Sequence, residues 1–144
     1  MLNRTFAIGL LVILATGIAG CQSTTPPAPT TPSPPPSSAP TPPAIGEVAR
    51  AGETVYANYC TSCHGNSGGG RVGPAVIGSA AALGKYNTAQ GLLDYIAATM
   101  PKSNPGGLSH QDYLNVVSFL IVRNNYLPED AAFLESRLDS VALR

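Results

Sequence analysis

The chain is short of charge, of metal-binding side chains and of long apolar stretches, and each shortage removes a class of function. Asp, Glu, Lys and Arg make up 11% of its 144 residues and cancel to a formal net charge of zero. A nucleic-acid partner calls for a basic patch to neutralise phosphates, and none is present. No lysine cluster appears, so docking through a strongly basic face is unsupported. Paired carboxylates, a Ser-His-Asp set and a Rossmann glycine pattern are all missing, and no organic-substrate pocket is indicated. The glycines of Gly65-Asn66-Ser67-Gly68-Gly69-Gly70 lack the Lys-Ser/Thr ending of a phosphate loop. The apolar run Phe6 to Gly20 is too short for a comfortable membrane span, which needs about 20 residues. Cysteine occurs three times, histidine twice, and methionine once beyond the initiator.

Those few residues are concentrated where they matter. Cys60-Thr61-Ser62-Cys63-His64 has the Cys-x-x-Cys-His pattern of covalent c-type haem attachment. Two thiols three positions apart lie on one side of a helical turn, from which they can add to the two vinyl groups of one porphyrin. The histidine that follows brings an imidazole nitrogen under the iron as proximal ligand. A zinc site would need four ligands, and only His110 and Cys21 remain to supply them. A thioredoxin-like site would need a βαβ context, which the glycine-rich stretch after His64 does not provide. Met100, in Ala98-Thr99-Met100-Pro101, lies 36 residues beyond His64, enough chain to return over the other face of a porphyrin. A thioether is a soft ligand, and a Met/His pair raises the reduction potential and suits electron transfer. The bland alternative is a flexible core methionine. His110 is a rival axial ligand, although its place in the first turn of a capped helix points it to solvent.

Here the chain resembles the class I cytochrome c family. Gly52 and Tyr56 stand eight and four positions before Cys60, as a glycine and an aromatic do in that family. The segment Asn115 to Leu120 looks like the family's C-terminal helix, with Val116 and Phe119 as the aliphatic–aromatic pair facing that glycine. Gly73-Pro74 matches a Gly-Pro after the haem motif, and the resemblance implies that the Pro74 carbonyl accepts a hydrogen bond from His64. It covers roughly residues 47 to 126 and implies an all-α domain folded around one covalent haem c. Arg71, Tyr86 and Tyr95 are candidates to meet a haem propionate, against the alternatives of an exposed arginine and ordinary tyrosine packing.

The spacing predicts a first helix over 47–59 and a second capped by Asn87 or Thr88, running to Thr99 and ended by Pro101. A long helix follows, capped by Ser109, to Asn124, with Tyr113, Val116, Val117, Leu120 and Ile121 as its apolar stripe. Beyond Pro128, Leu134, Leu138 and Val141 recur at helical intervals. They predict a short extra helix over 128–144, packed on the domain or serving to dock a partner.

The N-terminal part carries an address. Residues 1–20 read as an export signal, with Arg4 ahead of the apolar run. Ile18-Ala19-Gly20-Cys21 looks like a bacterial lipobox, which makes Cys21 the lipidated start of the mature chain. An ordinary signal peptide and an uncleaved anchor are the alternatives. Residues 22–44 hold 10 prolines and 9 serines or threonines among 23 residues. Such a stretch cannot bury enough surface to fold and reads as a tether reaching on the order of 70 Å when extended as polyproline II. The haem domain is then residues 45–144, with seven basic and eight acidic side chains, a net charge of −1.

The expected function is that of a membrane-anchored, extracytoplasmic electron carrier rather than an enzyme. Its partners would be a quinol-oxidising complex, a dehydrogenase or a terminal oxidase. The C-terminal half is also weakly similar to cytochrome subunits found with alcohol or sugar dehydrogenases. A haem-based gas sensor and a peroxidase-like enzyme are the rival readings, and both require a labile sixth ligand.

Overall fold

The computed structural model describes residues 40–144. The expected signal, the lipobox with Cys21 and most of the tether lie outside the described residues. Helix α1 spans Ile45–Tyr59, the single-turn α2 Thr61–His64, α3 Ala89–Thr99 and α4 His110–Arg123. Short 3-10 turns cover Leu83–Tyr86 and Glu135–Ser140. Two isolated bridges are the β pairing present among the described residues. The fold is all-α, as the sequence leads one to expect. Among the described residues no helix is long and apolar enough to cross a membrane.

Two of the helices start where the sequence places them. Thr88 caps α3, its hydroxyl accepting from the Gly91 N–H at 3.2 Å. Ser109 caps α4, accepting from the Asp112 N–H at 3.1 Å. Helix α4 is the centre of the domain, with every residue from Val116 to Ile121 buried. It packs along α1, where Tyr56 and Phe119 meet with ring centroids 5.3 Å apart. Gly52 lets the two backbones touch. A Cβ there would collide with the Asn115 carbonyl and lie 2.8 Å from the Phe119 Cβ.

The start of α1 and the tail depart from expectation together. Ala44, the residue before α1, offers no side-chain cap. The helix nevertheless begins at Ile45, two residues early, because distant carbonyls satisfy its first orphan donors. Ile45 N–H donates to Ala131 at 2.7 Å and Gly46 N–H to Glu129 at 2.9 Å. Phe133 N–H returns a bond to the Pro43 carbonyl at 2.8 Å. At the far end of the tail, Ala89 N–H donates to Val141, and Leu143 N–H to Asn87, each at 2.9 Å. The expected helix over 128–144 therefore shrinks to the 3-10 turn Glu135–Ser140. A regular helix would spend on itself the carbonyls of residues 129 and 131, which here serve the first turn of α1. The tail is a strap, with Leu138 and Leu143 buried beneath it. Leu143→Ala is expected to cost about 2–5 kcal/mol, the range for deleting a buried leucine side chain. Chemical denaturation of the haem-loaded protein checks this; an unchanged midpoint would mean the strap is not part of the cooperative unit.

Candidate functional site

The site grows from the junction of α1 and α2. Cys60 ends the first helix and begins the second, and its carbonyl accepts from Cys63 N–H at 3.2 Å and His64 N–H at 2.9 Å. One tight turn thus carries Cys60, Cys63 and His64, and both thiols are free. Burial, then the neighbouring Cys63, pushes the Cys60 thiol up to about 11.

The following loop folds back beneath His64. Gly65 leaves the turn at a φ of 80°, and the Tyr56 hydroxyl donates to its carbonyl at 2.7 Å. Gly68 has a φ of 77° and presses on Ile77, where a Cβ would lie 2.6 Å from that side chain. Gly73 N–H donates to the Cys63 carbonyl at 2.8 Å. A Cβ on Gly73 would stand 3.0 Å from the His64 Cε1, so glycine there leaves room for the imidazole. The Pro74 carbonyl lies 2.7 Å from His64 Nδ1. A carbonyl only accepts, so Nδ1 carries the proton and Nε2 keeps its lone pair for a metal.

Met100 reaches the same place from α3. Its N–H still bonds the Ile96 carbonyl at 2.9 Å, while its own backbone is extended. Cys60, Cys63, His64 and Met100 all line one cavity of about 550 Å³, in the size range of cofactor sites. Its walls include Leu83, Leu92, Ile96, Val116 and Leu120. Two thiols on one turn, an imidazole with a free nitrogen, a soft thioether and an apolar wall fit haem c. That group, when bound, supplies a one-electron iron couple. The residues here would hold it, orient the imidazole and exclude water.

The rim was only partly foreseen. Tyr86 lines the cavity beside Tyr95, with ring centroids 4.7 Å apart. Burial, followed by Tyr95, pushes the Tyr86 hydroxyl up to about 12. Hydrogen bonds with Thr99 and Tyr86 hold Tyr95 lower than usual, with Lys102 and Lys85 adding to the effect. Arg71, expected at a propionate, is not part of the cavity lining. Its guanidinium donates to the Ser62 carbonyl at 3.4 Å. The cations that line the cavity among the described residues are Lys85 and Lys102, the only two lysines of the chain. His110 stands away from the cavity, its side chain 67% exposed and 2.7 Å from Glu135 Oε1.

A family model described as "Cytochrome C oxidase, cbb3-type, subunit III" matches residues 47–120. No curated protein matches the chain. Among solved structures, the sulfane dehydrogenase SoxCD from Paracoccus pantotrophus is similar at 24% identity and a TM-score of 0.58. That match covers 66% of this chain and 52% of the other, so this chain spans about half the length of that one. Cytochrome cL from Hyphomicrobium denitrificans is similar at 20% identity and a TM-score of 0.46, covering 67% and 66% of the two chains.

Proposed function

Because the chain belongs to the cytochrome c family of cbb3-type oxidase subunit III, we propose that it is a monohaem electron carrier closed by His64 and Met100. The observation that carries this reading is the meeting of Cys60, Cys63, His64 and Met100 on one apolar cavity. The two thiols would fix the group covalently, and the Pro74 carbonyl, by accepting from His64 Nδ1, leaves the Nε2 lone pair available to a metal. Met100 would supply the second protein ligand and favour the reduced state. With both axial positions filled by protein, a change of oxidation state requires little rearrangement.

The carrier works outside the cytoplasmic membrane of a bacterium, held to its outer face by lipid on Cys21 through the proline-rich tether. Ile18-Ala19-Gly20-Cys21 and the composition of residues 22–44 support that address. Its partners are a quinol-oxidising complex, a dehydrogenase or a terminal oxidase, and the family match and the fold shared with a dehydrogenase chain agree with such company. It acts as a mobile carrier or as the electron-carrying subunit of an oxidoreductase, and transforms no organic substrate itself. Potentiometric titration of the purified protein tests the reading. A single one-electron Nernst curve with one haem per chain is expected; a two-step curve, or a haem content other than one, would contradict it.

A further inference from the structure

Met100 is fixed from both sides by hydrogen bonds to its backbone, and the second of them comes from the side chain of Tyr113. Its N–H is bonded within the last turn of α3, to Ile96. Its carbonyl accepts from the hydroxyl of Tyr113 at 2.9 Å. The same hydroxyl accepts from the Leu108 N–H at 3.3 Å. One oxygen therefore joins the two ends of the loop 100–108. The interior of the loop has only short-range ties, Asn104 N–H to Pro101 at 2.9 Å and Gly107 N–H to Asn104 at 3.1 Å.

Tyr113 is well placed to act as a fixed post. It lies in the first turns of α4, with 4% of its surface exposed. The Ser109 cap pins that end of the helix, with the Ser109 hydroxyl also donating to Asp112 Oδ2 at 2.7 Å. Tyr113 is not itself part of the cavity lining, whereas Met100 is. Its effect on the site has to pass through the Met100 backbone.

On the reading that Met100 is an axial ligand, we infer that Tyr113 is a positioning residue for it. The hydroxyl latches the loop 100–108 to α4 and keeps the thioether aimed into the cavity. Without it, a half-buried carbonyl and a half-buried N–H lose their partner, and the loop gains freedom to carry the sulfur away. The effect is on the closed–open balance of the sixth site, which exogenous ligands report.

The test is Tyr113→Phe in the full haem-loaded chain, which keeps the ring and removes only the oxygen. Carbon monoxide binding to the reduced protein is followed alongside Met100→Ala and Leu138→Ala. Leu138 is buried but stands away from the cavity, so its truncation reports what loss of stability alone does. The expected result is a gain of roughly tenfold in carbon monoxide association for Tyr113→Phe, equivalent to about 1.4 kcal/mol in the opening equilibrium. Leu138→Ala should leave association near the parent value, and Met100→Ala should set the upper limit. Parent-like association for Tyr113→Phe, or equal opening by Leu138→Ala, would overturn the latch. Parent-like association in Met100→Ala would instead sink the axial-ligand reading on which the latch rests.

Discussion

Met100→Ala is expected to lower the reduction potential by a tenth or more of the roughly 0.8 V over which axial ligands set haem potentials. On the proposed ligation the thioether is the soft donor of the site, and soft donors stabilise ferrous over ferric iron. Alanine offers no donor, and the apolar wall of Leu92, Ile96 and Leu120 provides no substitute. His110 cannot replace the sulfur without leaving Glu135 and the solvent-facing start of α4. The variant should therefore also accept carbon monoxide readily. Potentiometric titration checks the first effect and the reduced spectrum under carbon monoxide the second. An unchanged potential would remove Met100 from the metal.

The second large effect is expected far from the iron. Gly52→Val should destabilise the domain by about 3 kcal/mol, the upper end of what overpacking costs. The neighbour a Cβ would meet is the backbone carbonyl of Asn115, which cannot swing aside as a side chain tip can. The helices must separate, and the contact between Tyr56 and Phe119 must open with them. Gly52→Ala separates this argument from helix propensity. Alanine gains about 1 kcal/mol over glycine within a helix, yet brings the same Cβ into the same carbonyl. Both variants should lose stability, valine the more, as measured by chemical denaturation of the haem-loaded protein. An alanine variant more stable than the parent would mean the α1–α4 contact is looser than described.

Where the controlling interaction is local, the sequence was readable. Thr88 and Ser109 are caps within three residues of the N–H groups they satisfy. The turn that unites Cys60, Cys63 and His64 is five residues long. Where control comes from a distance, it was not. Helix α1 starts at Ile45 without a cap because carbonyls more than 80 residues away accept its first hydrogen bonds. The same bonds keep residues 129–133 from continuing as helix, so the leucines at helical spacing in the tail were a misleading signal. Of the residues at that spacing Leu138 is buried, while Leu134 and Val141 are half-buried in the strap. The rim of the cavity illustrates a different limit. Arg71 stands near the haem motif in sequence but bonds Ser62, whereas Lys85 and Lys102 reach the cavity from two separate connections. Tyr113 reads as one more apolar position on α4, and only the placement of Met100 and Leu108 reveals what its hydroxyl holds.

The central claim is that the iron is closed on both sides by the protein. The visible spectrum of the reduced, haem-loaded chain, recorded before and after carbon monoxide, tests it most directly. A sharp low-spin spectrum that carbon monoxide leaves unchanged on mixing and converts only slowly is the predicted result, with His64 and Met100 both in place. Rapid conversion to a carbonyl spectrum would contradict it and would make the chain a ligand-binding haem protein rather than a carrier.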